Sequence, residues 1–149
     1  MAGEQKFTRL GASLTDLETV WRDRLDDADA LLAANRHASA IAMGLYALEV
    51  CLKARICKRL DQPRLPTAFE IHDIEGLLLL AGLARRLEGK SWQMSRVRKN
   101  WDGIREVANQ LNDLRYLLDR RWSHTRASEF LDRLKNTRDG VLPWLSKQR

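Results

Sequence analysis

Cysteine is nearly absent from this chain: Cys51 and Cys57 are the two among 149 residues. Six positions apart in one helical segment, they lie almost two turns from each other, too far for an intrahelical disulfide. No second cysteine pair exists to complete a zinc site, so both thiols are expected as small core or groove groups. Long apolar runs are missing as well. No window reaches the roughly 18 residues of a membrane-spanning helix, and the opening MAGEQKFTRL has no apolar signal core. A cytoplasmic protein that does not enter the membrane is expected. There is no strand-like alternation, glycine-rich phosphate loop, Ser-His-Asp order or hydrolase-type carboxylate pair. Asp23, Asp26, Asp27 and Asp29 scatter over a wet helix face, and His72-Asp73 has no other histidine or cysteine at ligand spacing. Neither a metal nor a cofactor is expected.

What the chain does hold is charge and helical periodicity. Hydrophobic residues make up 44% and charged residues 31%, the mixture of a single globular domain at this length. The net charge of +6 is uneven. Residues 1–83 hold 10 basic and 12 acidic side chains, whereas residues 84–149 hold 16 and 8. Such asymmetry suggests a polyanion or an acidic protein as partner of the second half, or a solvated basic face.

The most regular stretch is 38–60, where Ile41, Leu45, Leu48, Leu52, Ile56 and Leu60 recur every three or four positions. Met43, Tyr46, Ala47, Val50 and Ala54 add apolar or small groups on the other sides, as in the buried centre of a bundle. Glu49 is the exception. It precedes Lys53 by one turn, in the favourable i,i+4 order, and places a charged pair near the core. Before this helix, Thr15 to Glu18 reads as a capping box opening a helix over 16–34. Asn35 suits a left-handed cap, which makes the first two helices antiparallel neighbours. Pro63 and Pro66 exclude helix from the following loop. Asp73 caps a short apolar helix over 74–87, with Gly82 weakening its far end. Residues 91–100 read as a basic loop or the first turns of the next helix. Trp101, Ile104, Val107, Leu111, Leu114 and Leu118 stripe a helix over 100–118. A last helix over 125–138 buries Phe130, Leu131 and Leu134, and Gly140 and Pro143 loosen a tail ending in Trp144 and Leu145. The expectation is an all-α, compact, four- to five-helix bundle with up-down antiparallel packing over 15–149, after a lead-in at 1–14.

Three features together resemble the HEPN domain family of prokaryotic toxins, phage-defence factors and RNA-processing proteins. They are Ala47-Leu-Glu49 with Leu52-Lys-Ala54 on the central helix; the proline-containing loop ending in His72-Asp73-Ile74; and Leu114-Arg115-Tyr116 closing a long helix before a polar turn. The resemblance covers about residues 15–145 and implies a homodimeric bundle whose active members are metal-independent ribonucleases of toxin–antitoxin or phage-defence systems. Their signature is an arginine and a histidine separated by about four to six residues near the start of the final helix. Here eight residues separate Arg115 from His124, three separate Arg120 and two separate Arg121, so no pair has that spacing. Members that bind RNA or a nucleotide without cleaving it offer an alternative. So does an interaction module for a protein partner, such as a nucleotidyltransferase-type antitoxin, or a structural subunit of a larger complex.

The chemistry concentrates in Arg115, Tyr116, Arg120, Arg121, Trp122, His124 and Arg126. Imidazole moves protons near neutral pH and guanidinium stabilises charge on phosphoryl oxygens, which is what metal-free RNA cleavage needs. His124 is the candidate acid/base. Arg120 or Arg121 is the candidate phosphate clamp, and Arg115 joins this catalytic set or pairs with an acid such as Glu49. Tyr116, Trp122 and Arg126 are candidate RNA contacts, with Trp122 either stacking a base or filling a helix corner. Arg96, Arg98, Lys99 and Arg105 form a second basic group, with Trp92 and Trp101 interleaved. It suits sequence-independent phosphate contacts, with Trp92 free to join and Trp101 in the core. Glu49 and Lys53 form the supporting pair. His37, beside Arg36 at the start of the central helix, is given no role.

Overall fold

The computed structural model describes residues 10–110 and 122–148. Its elements are β1 (Leu10–Ser13), α1 (Leu14–Ala33), α2 (His37–Arg59), β2 (Arg64–Pro66), α3 (Ile74–Leu80), α4 (Trp92–Asn109), α5 (His124–Lys135) and α6 (Val141–Ser146). Short 3₁₀ turns at Thr67–Phe69 and Ala84–Glu88 join them. The chain is mostly helical, and no described helix is long and apolar enough to cross a membrane.

Helix α2 is the centre. Ile41, Leu48, Leu52, Ile56 and both cysteines are fully buried, and α1, α3, α5 and α6 pack around it. Burial pushes the Cys51 thiol up to about 12, which leaves it protonated and inert at neutral pH. Asn35 takes φ 58°, and the three-residue turn folds α1 back along α2. Leu17, Trp21 and Ala28 of α1 are buried against it.

Several element boundaries differ from those expected. Ser13, not Thr15, caps α1: its hydroxyl accepts from the Asp16 amide at 3.1 Å. The reason is that the chain enters α1 from a strand. Residues 10–13, expected in a loose lead-in, pair antiparallel with 64–66, and the Leu14 amide donates to the Pro63 carbonyl at 2.8 Å. This two-stranded ladder was not expected. It forms because the positions flanking Pro63 and Pro66 are held extended and Leu65 needs cover, being 2% exposed. Helix α3 ends at Leu80, because Gly82 turns the chain at φ 74°. Helix α4 starts at Trp92, with the Ser91 hydroxyl accepting from the Met94 amide at 3.1 Å, so the basic segment 91–100 is helical. Helix α5 ends at Lys135 rather than 138, where Asn136 turns extended. The tail is itself a helix: Pro143 is tolerated in its first turn, and Val141, Leu142 and Leu145 enter the core.

Candidate functional site

Helices α2 and α5 run side by side in the same direction. Gly44 lets them approach, since a Cβ there would stand 2.9 Å from Leu134 Cδ1 and 3.0 Å from Leu131 and Phe130. Their first residues therefore meet at one end of the bundle. Those residues are His37 and His124, with ring centroids 5.6 Å apart and planes at 78°. His124 is exposed, while His37 is half-buried. The His37 Nε2 atom is shielded from solvent and has no hydrogen-bond partner among the described residues. A buried ring nitrogen without a partner calls for an explanation, and a bound ligand is one. Ser123 caps α5 through its hydroxyl, whereas Arg36 opens α2 without a side-chain cap. The aligned peptide dipoles of both helices bring partial positive charge to this end.

Two positions after His124, Arg126 is exposed, with its guanidinium carbon 4.1 Å above the Trp122 ring. Trp122 itself is 2% exposed. Its face is covered by Arg126 and the core, so it is a corner-filling residue and offers no platform to a base. Arg115, Tyr116, Arg120 and Arg121 lie outside the described residues.

The supporting pair is present and has a third member. Lys53 Nζ lies 2.7 Å from Glu49 Oε1, and His72 Nδ1 reaches the same oxygen at 2.7 Å. Glu49 and Lys53 are buried, while the His72 ring is largely in solvent. Spacing within α2 foretold the first bond. The second joins residues 23 apart and depends on the path of the loop.

The second basic group divides. Trp101 is core, at 3% exposed, and Trp92 is 76% exposed. Arg96 pairs with Asp139 at 2.6 Å and lies over the Trp92 ring at 4.9 Å. Arg98, half-buried, donates to the Leu87 carbonyl at 3.1 Å and straps the preceding 3₁₀ turn. Lys99 is exposed and, among the described residues, has no ion-pair partner. Between α4 and α5 runs a groove. One cavity of about 490 Å³ is lined by Arg96, Lys99, Asn100, Asp132, Arg133 and Asp139. A second, of about 450 Å³, continues it past Lys99 and Arg133 toward Asn109.

Among the described residues no group of three or more His, Cys, Asp or Glu side chains is placed to hold a metal ion. Sequence reasoning missed His37, His72 and Arg133. For His37 a signal existed, since it and His124 each stand at the start of a helix. Nothing local marks the other two. Comparison of the chain with family models, curated proteins and solved structures finds no match.

Proposed function

We propose that this chain is an RNA-engaging domain of the HEPN type that cleaves single-stranded RNA without a metal, using His37 and His124 as its acid–base pair. The observation that carries this reading is the meeting of the two imidazoles at the adjoining N-terminal ends of α2 and α5. Two histidines within reach of one phosphodiester suffice for transesterification. One takes the proton from the 2′-hydroxyl as that oxygen attacks phosphorus. The other protonates the departing 5′-oxygen, leaving a 2′,3′-cyclic phosphate and a free 5′-hydroxyl. The dipoles of both helices bring positive charge to the end where the phosphorane gains negative charge. The net charge of +6 favours a polyanion as substrate. The reading includes a homodimer, in which a second copy closes the cleft, and a toxin–antitoxin or phage-defence setting.

The test is incubation of purified protein with end-labelled single-stranded RNA in EDTA. Cleavage to cyclic-phosphate ends is expected, with a bell-shaped pH profile, and His37→Ala or His124→Ala should each lower the rate by about 10² or more. Unchanged circular dichroism of both variants would confirm that the fold is kept. Intact RNA with the parent protein, or full activity in both variants, refutes the reading. RNA bound but left whole would make the chain a non-catalytic binding module.

A further inference from the structure

We propose that Lys99 and Arg133 form a phosphate clamp in the α4–α5 groove, a ribonucleotide-binding site whose arginine stands nine positions after His124 on α5; the proposal rests on the RNA reading above. The first observation is Gly103. Glycine inside an 18-residue helix weakens it, so the position asks for a reason. The reason is Arg133: a Cβ on residue 103 would stand 2.8 to 2.9 Å from its Cζ, Nη1 and Nε atoms. Three guanidinium atoms at nearly one distance mean that the plane lies face-on against the backbone of α4. The missing side chain is the seat of the guanidinium.

The second observation is that this seated charge has no ion-pair partner among the described residues. Arg133 Nη1 makes two long hydrogen bonds, to the Lys99 carbonyl and to Asn100 Oδ1, each 3.4 Å. Neither partner is charged, and among the described residues Arg133 has no carboxylate within ion-pair distance. The other groove arginines differ, Arg96 pairing with Asp139 and Arg105 with Glu75 and Asp102. Lys99 and Arg133 line both cavities, so a strand running along the groove must pass them. A preorganised fork beside a flexible ammonium is what a phosphate oxygen pair fits.

The groove also carries Glu129 and Asp132 in one cavity and Asp102 and Glu106 in the other. These repel a dense polyanion such as heparin or duplex. They suit a ribonucleotide, whose phosphate meets the cations while its 2′-hydroxyl or an exocyclic amine donates to a carboxylate. Exposed Trp92 stands seven positions before Lys99 on the same helix, about 10 Å away along the axis, and offers a stacking face.

Fluorescence anisotropy with labelled single-stranded RNA, at several salt concentrations, tests the clamp. Lys99→Ala and Arg133→Ala should each weaken binding roughly five- to tenfold and lower the salt slope by about 1. Gly103→Ala keeps both charges but displaces the guanidinium, and should weaken binding comparably. DNA of the same sequence should bind less tightly, and heparin should compete poorly. If Lys99→Ala, Arg133→Ala and Gly103→Ala all bind RNA as the parent does, while His124→Ala still stops cleavage, the clamp is refuted and the RNA reading stands. Equal affinity for DNA overturns the ribonucleotide assignment. A parent protein that binds no RNA overturns both.

Discussion

Glu49 shows what one charged residue does when a helix is buried on nearly every side. Its carboxylate receives Lys53 and His72 on a single oxygen, with about a tenth of the Glu49 and Lys53 side-chain surfaces left in water. Little solvent remains to screen Lys53 once its partner is gone. Glu49→Ala is therefore expected to cost about 3 kcal/mol, most of it the penalty of a stranded ammonium. The double change to Glu49→Leu and Lys53→Met should recover most of that loss. Urea unfolding of the three proteins checks both numbers, and a single variant within 0.5 kcal/mol of the parent contradicts the account. Half of this arrangement was legible beforehand. The i,i+4 spacing announces Glu49 with Lys53, because a helix fixes which residues are neighbours. His72 arrives from a loop whose path is set by β2 and α3, and no local rule gives that.

At the scale of elements, α2 meets α5 at a glycine. Gly44 sits among Phe130, Leu131 and Leu134, all at most 2% exposed. Two effects oppose each other in Gly44→Ala. Helix propensity favours alanine by about 1 kcal/mol. Against it, a methyl group 2.9 to 3.0 Å from three packed side chains forces them apart, at about 1–3 kcal/mol. The clash is expected to win because the neighbours have no free volume to move into, giving a net loss of about 1 kcal/mol. A lower urea midpoint at unchanged slope is the signature, and a gain in stability would show that the helices can spread. Because this contact sets the α2–α5 distance, the variant should also disturb the His37–His124 geometry and lower RNA cleavage beyond its stability effect. The stripes of α1, α2 and α5, and the Trp101, Ile104 and Val107 part of that of α4, were readable because amphipathic periodicity is local; Leu111, Leu114 and Leu118 lie outside the described residues. The helix ends were less readable. Ser13, Ser91 and Ser123 cap three of them, and in each case the choice of cap depends on how the preceding chain arrives. The β1–β2 ladder joins segments more than fifty residues apart, and neither four-residue LGAS nor three-residue RLP carries strand alternation long enough to read.

Across the whole molecule, Arg55 of the central helix ties α1 to α6. From α2, at 3% exposed, it donates to the carbonyls of Leu145, Ser146 and Gln148 at the close of α6 and pairs with Glu18 of α1. Glu18 also accepts from Trp21 Nε1 at 3.1 Å and meets Arg22 and Lys58. Partial burial works against its ionised form, but the Trp21 hydrogen bond and the charges of Arg55, Arg22 and Lys58 outweigh it and hold the carboxyl below its ordinary 4.5. The sign follows from proton linkage. A carboxyl lowered on folding contributes stability that is complete above its unfolded value and is lost as pH falls through the folded one. The parent protein should therefore lose stability on acidification below about pH 4.5, with this junction loosening as Glu18 takes up a proton. Glu18→Gln keeps the shape and removes the titration. It should cost about 1–2 kcal/mol at pH 7, where the charged partners are left without a carboxylate. It should flatten the acid limb of the stability curve, so that the two proteins converge once the pH is low enough to protonate Glu18 in the folded parent. Urea midpoints from pH 3 to 7 measure this, and parallel curves would assign the acid sensitivity to other carboxylates. Because the other side of the junction is α6, removing the last helix should cost more than Glu18→Gln, a difference that the urea midpoint reads. Truncation after residue 140 would leave Arg55 without its carbonyl partners and expose the core positions that Val141, Leu142 and Leu145 fill.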